Sequence, residues 1–174
     1  MIDLVFIIIS ILLVVVFLWD YIMTTHELPE SISATVYEMP KGGEWLWSVW
    51  LVGVSACLFV PLVESCGWLG WLTEVSLMGA ALTPLVKKDT KKWHYGFGIA
   101  AGIFSQVCVA WLCADWLFTW SVFVFLMGSL YVQPQGWLAK AVEHKGVTVA
   151  ECVCFIALIG SLLTRNGIAE WIQR

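Results

Sequence analysis

Apolar residues in this chain fall in long unbroken runs rather than at the two-residue or three-to-four-residue spacing of a soluble domain. Nearly every position from 4 to 19 is Val, Ile, Leu or Phe, and the run reaches Met23. Further runs occupy about 45–63, 67–86, 94–113, 116–132 and 147–164. A hydrocarbon layer ~30 Å thick takes about 20 helical residues to cross. The pattern therefore predicts an all-α polytopic transmembrane bundle of about six spans, with residues 1–174 forming a single transmembrane domain. Only Asp115 interrupts the fourth and fifth runs. A charge there places a tight helical hairpin between them.

Composition points the same way. With 60% hydrophobic and 13% charged residues, the chain has too few polar side chains to cover the surface of a soluble domain. The first run is not a secretory signal by its sequence: Asp3 is the only charge ahead of it, and no small-residue cleavage site follows. It is expected to remain as the first span. Cys57, Cys66, Cys108, Cys113, Cys152 and Cys154 sit in or beside apolar runs without a CxxC pair, as small packing residues do. The net charge of −4 is uninformative about nucleic acid, and no basic stripe suggests that partner, so none is expected.

Charge placement sets the orientation. With alternating spans, Lys41, Lys87, Lys88, Lys91, Lys92, Lys140 and Lys145 share one side, and Arg165 and Arg174 take the other. The positive-inside rule makes the lysine side cytoplasmic and puts both termini outside. Tryptophan gives a second reading of the boundaries. Trp45, Trp47, Trp50 and Trp93 fall at inner edges; Trp68, Trp111, Trp116 and Trp171 fall at outer ones. Indole rings favour the headgroup level, so the tryptophans are expected as interfacial belts. Gly98 and Gly102 form a GxxxG inside the fourth span. Such a spacing lets two helix backbones approach closely. It serves packing inside one bundle, or a homo-oligomer or membrane partner.

Polar residues inside these runs are costly and mark candidate chemistry. Glu74 lies in the third span, Glu151 about one turn into the last, and Asp20 near the inner end of the first. Thr83-Pro84 should loosen the inner end of the third span, because proline frees a carbonyl one turn earlier. Gln106, in the fourth span, is placed to hydrogen-bond across helices. His26, His94 and His144 all fall on the inner side, as do Ser31, Ser33 and Tyr37. Candidate catalytic residues are thus Ser33, His94 and Glu151, and candidate binding residues Ser31, Tyr37 and Glu74. No HxxxH, HExxH, P-loop or dinucleotide fingerprint occurs, so neither metal nor cofactor is expected. The serines ahead of a short apolar stretch are expected to cap a turn through their hydroxyls.

Ser31-Ile32-Ser33-Ala34-Thr35-Val36-Tyr37 resembles the hallmark of a family of uncharacterised small bacterial polytopic membrane proteins, a Ser-Ile-Ser-Ala-x-Tyr stretch after the first span. Gly79-Ala80-Ala81-Leu82-Thr83-Pro84, His94 and the early Glu151 followed by Gly160-Ser161 resemble that family in the same order. Val36 stands where the family commonly has a second tyrosine, and an arginine that often follows is missing. The resemblance implies a multi-pass protein of the bacterial cytoplasmic (inner) membrane and carries no established activity. More distantly, Ser, Asp and His near one membrane face resemble the alkaline ceramidase-like membrane hydrolases, without their seven spans or late HxxxH. The leading expectation is a structural, transport-like or partner-binding membrane protein. The alternative is a membrane-embedded hydrolase acting on lipid at the cytoplasmic leaflet.

Overall fold

A computed structural model describes residues 2–27, 29, 31–40, 42–86, 91–112, 120–121 and 146–165. Among these residues the chain is all-helical. The long helices are α1 (Ile2–Thr25), α2 (Glu44–Cys66), α3 (Trp68–Val86), α4 (Lys91–Trp111) and α5 (Gly146–Arg165), with a short 3-10 turn at Ser33–Tyr37. Each matches an apolar run to within a few residues. The expected fifth span at 116–132 lies outside the described residues apart from Trp120 and Ser121. So do Asp115, His144, Cys113, Trp116, Trp171 and most of the lysines.

Three helices, α1, α2 and the 147–165 part of α5, are long and apolar enough to cross a membrane. In α1 only Ile7 and Ser10 are buried; Ile11, Leu13 and Val14 pack partly against the core and Phe17 stacks on Trp50, while Val5, Ile8, Leu12, Val15, Val16 and Trp19 are exposed. A helix apolar all round needs an apolar surrounding on every side. By contrast, α3 and α4 carry Thr73, Glu74, Ser76, His94 and Ser105, and all of these are buried. Their polar groups turn into the bundle.

Sequential helices pack side by side, α1 on α2, α2 on α3 and α3 on α4, and α5 closes against α4, α2 and α1. The apolar core gathers at one end: Ile7 of α1, Leu58 and Leu62 of α2, Leu69 of α3, Val109 of α4, and Leu158 and Leu162 of α5. Ile2 and Asp3 line a hollow with Val60 and Glu64 at this same end. We call it the far end. The loop joining α1 to α2 and the first turns of α4 and α5 occupy the opposite, loop end. It follows that α2, α4 and α5 run in one direction and α1 and α3 in the other.

Glycine shapes two helix contacts. Gly67 turns α2 into α3 at a positive φ of 58°, which side chains disfavour. A Cβ on Gly70 would press into the backbone carbonyl of Leu62, so α2 and α3 meet backbone to backbone there. On Gly79 it would come within 2.5 Å of the Phe97 ring, which fixes α3 on α4. Among the described residues Gly98 and Gly102 do not share this role: a Cβ on either meets none of them within 4 Å. The close approach inside the bundle is made by other glycines. Gln106 bonds across helices as expected, its Nε2 donating to Cys154 O at 3.4 Å and its Oε1 accepting from Ser121.

Candidate functional site at the loop end

The loop between α1 and α2 is drawn into the bundle by α4 and α5. Thr148, in the first turn of α5, donates from Oγ1 to Pro29 O at 2.6 Å. One turn later, Glu151 takes three donors from the loop. Ser31 Oγ donates to Oε1 at 2.9 Å, Ile32 N to Oε2 at 2.5 Å and Ser33 N to Oε1 at 3.4 Å. A short turn that begins without a side-chain cap leaves its first N–H groups unmet. The expectation that the serine hydroxyls cap this turn is corrected: the acceptor comes from α5. A carboxylate has two oxygens and several lone pairs, so it meets two backbone donors and a hydroxyl together.

The serine protons can be traced. Ser31 and Ser33 Oγ lie 2.6 Å apart. Ser31 spends its only proton on Glu151, so Ser33 is the donor between them. The result is a chain from Ser33 through Ser31 to the Glu151 carboxylate.

His94, in the first turn of α4, holds the other side of the loop. Its Nε2 lies 2.8 Å from Ser33 O and its Nδ1 2.9 Å from Ala80 O. The second contact follows from the sequence of α3. Pro84 has no N–H, so the carbonyl four residues earlier, Ala80 O, lacks its helical partner. His94 occupies that carbonyl; Thr83 Oγ1, which donates to Gly79 O, lies 3.3 Å from it. Both ring nitrogens therefore face backbone carbonyls, and neither is turned toward a side-chain hydroxyl.

Aromatic rings wall the imidazole. The centroids of Trp47, Tyr37 and Tyr95 lie 5.4, 5.5 and 5.7 Å away, all edge-on or nearly so. His94 is fully buried. Trp47, expected in the interfacial belt, is 1% exposed and belongs to this wall instead. Trp45, Trp68, Trp93 and Trp111 are exposed, as belt residues would be. Burial pushes the Tyr37 phenol above its ordinary range, with the neighbouring Tyr95 adding to the shift. At the end of the loop Tyr21 of α1 donates to Glu38.

Ser31, Ser33, Tyr37, His94 and Glu151 therefore share one site, and Glu74 does not. Glu74 is buried in α3, where Ser55 of α2 donates to it. His26 ends α1 at a positive φ and is exposed, away from the cluster. Among the described residues no group of three or more His, Cys, Asp and Glu side chains is placed to hold a metal ion. Pro84 was the sequence signal for the His94 contact. Trp47 and Thr148 gave no such signal, because an indole at a helix start and a threonine in an apolar run are ordinary there. No family of known proteins, curated protein or solved structure matches the chain.

Proposed function

We propose that this chain is a polytopic protein of a bacterial cytoplasmic membrane that works by binding a partner rather than by catalysis. The observation carrying this reading is the engagement of His94. Both ring nitrogens are held by backbone carbonyls, and Ser33 Oγ faces Ser31 rather than the imidazole. A serine nucleophile needs a base within hydrogen-bond reach, with a nitrogen free to accept its proton. Here the histidine and the glutamate fasten a loop.

Six spans with both ends outside remain the layout we favour. Parallel α4 and α5 require one return of the chain between them, where the sequence places a span at 116–132. Lys92 and Arg165 lie at opposite ends of the bundle, as the positive-inside assignment requires. The resemblance to the Ser-Ile-Ser-Ala-x-Tyr family supports the same layout. Cysteine labelling from one side of sealed vesicles tests it: position 92 should react only from inside, and positions 2 and 165 only from outside.

The partner we favour is a second copy of this chain, through Gly98 and Gly102. Ile99 and Ile103 beside them are exposed, and among the described residues nothing would meet a Cβ on either glycine within 4 Å. GxxxG faces are self-complementary, and lipid fills them less well than a second helix does. Crosslinking in native membranes should give a dimer that Gly98→Leu and Gly102→Leu abolish without lowering thermal stability. A chain that remains monomeric, or a dimer indifferent to both changes, rejects this face.

A second reading has one observation in its favour. The Ser33–Ser31–Glu151 chain offers a hydroxyl proton a route to a carboxylate at the membrane boundary, as a lipid hydrolase would use. Purified protein that cleaves an acyl or amide lipid, and loses that activity in Ser33→Ala, would establish it.

A further inference from the structure

Buried polar atoms without partners are rare, and each calls for a physical reason. Three occur in the interior around α2: Trp47 Nε1 beside His94, Ser48 Oγ and, against Ser55, Glu74 Oε1. Ser48 and Ser55 are seven residues apart, two helical turns, so they lie on the same face about 10 Å apart along the axis. Ser55 sits at the middle of α2. Glu74 is 2% exposed, and no cationic side chain pairs with it among the described residues.

A bare carboxylate in such a place is costly, because neither water nor a cation offsets its lost hydration. A metal ion would relieve that cost, but hard cations take six or more oxygen ligands. Glu74 and Ser55 supply one carboxyl and one hydroxyl. The ligand that this pair can satisfy is a proton: one carboxyl oxygen accepts from Ser55, and the other carries the hydrogen. Ser48, two turns nearer the loop end on the Ser55 face, is the next buried polar group without a partner toward that side.

We propose that Glu74 and Ser55 form an intramembrane proton-binding site that exchanges its proton with the loop-end side along the Ser48 face of α2. This goes beyond partner binding and does not depend on it. A purely structural role for Glu74 would need only an acceptor for Ser55, which glutamine also provides.

Infrared spectroscopy of the protein in lipid bilayers distinguishes the two. The wild type should show the C=O band of a protonated carboxylic acid that is lost in Glu74→Gln and shifted in Ser55→Ala. Transfer to deuterated buffer should shift the band promptly in the wild type and slowly in Ser48→Val. Should Glu74→Gln fail to fold, the Ser55→Ala shift still identifies the carboxyl. No protonated band overturns the site, and a band that ignores deuterated buffer, or exchanges equally fast in Ser48→Val, overturns the path.

Discussion

Glu151 and His94 grip opposite sides of one residue: Ser33 donates its N–H to Glu151 Oε1 at 3.4 Å, and its carbonyl lies 2.8 Å from His94 Nε2. Two helices that touch the loop from different directions thereby share one anchor. Removing either grip frees the same segment, so the second removal has less left to break. Glu151→Ala and His94→Ala should each cost about 2–4 kcal/mol, since each leaves buried groups unpaired. The double variant should lose less than the sum, as read by thermal unfolding in detergent. Strict additivity would mean that the two grips are independent.

Pro84 creates the acceptor that His94 Nδ1 meets. Pro84→Ala restores a backbone N–H that can bond Ala80 O within α3. In that background His94→Ala should be milder than in the wild type by about 1 kcal/mol, the typical net worth of one hydrogen bond. A double-mutant cycle on unfolding free energies measures this directly. An equal cost in both backgrounds would show that the Ala80 contact contributes nothing.

The glycines should separate into two classes. Gly70→Ala drives a methyl against the Leu62 backbone, which cannot rotate away, and should destabilise by about 1–3 kcal/mol. Gly98→Ala meets no described residue within 4 Å and should gain up to about 1 kcal/mol from helix propensity. Thermal unfolding of the two variants in the same detergent provides the comparison. A loss on Gly98→Ala as large as that on Gly70→Ala would contradict the open face.

Tyr37 gives a pH dependence with a defined sign. Burial, then the neighbouring Tyr95, raises its phenol above the ordinary value of 10.0. As pH rises, the unfolded chain loses this proton before the folded one does. The contribution to stability is whole below the ordinary value and is lost as pH climbs through the raised folded value. Tyr37→Phe should therefore lose less stability than the wild type between neutral and strongly alkaline pH. Parallel pH curves for the two proteins would place the phenol in solvent.

Much of the fold was legible because an apolar run of span length leaves the backbone few options. Such a stretch, apolar on every side, closes its peptide hydrogen bonds within itself as a helix. The runs at 4–23 and 45–63 accordingly became α1 and α2. Pro84 likewise announced a freed carbonyl, though not its partner. Gly98 and Gly102 show the limit of a motif: their spacing reveals a surface fit for close approach, while Gly70 and Gly79 make the approach observed inside the bundle.

The sequence alone therefore determined the five long helices of the described residues, their approximate ends and the positions where a polar group would be costly, since these depend on local solvation and backbone chemistry. The tertiary structure decided that Ser33, His94 and Glu151 meet while Glu74 stands apart with Ser55, and that Trp47 faces a histidine rather than lipid. Those outcomes depend on how each helix is rotated about its axis and packed on its neighbours. Apolar runs that are hydrophobic on every side carry little information about that rotation.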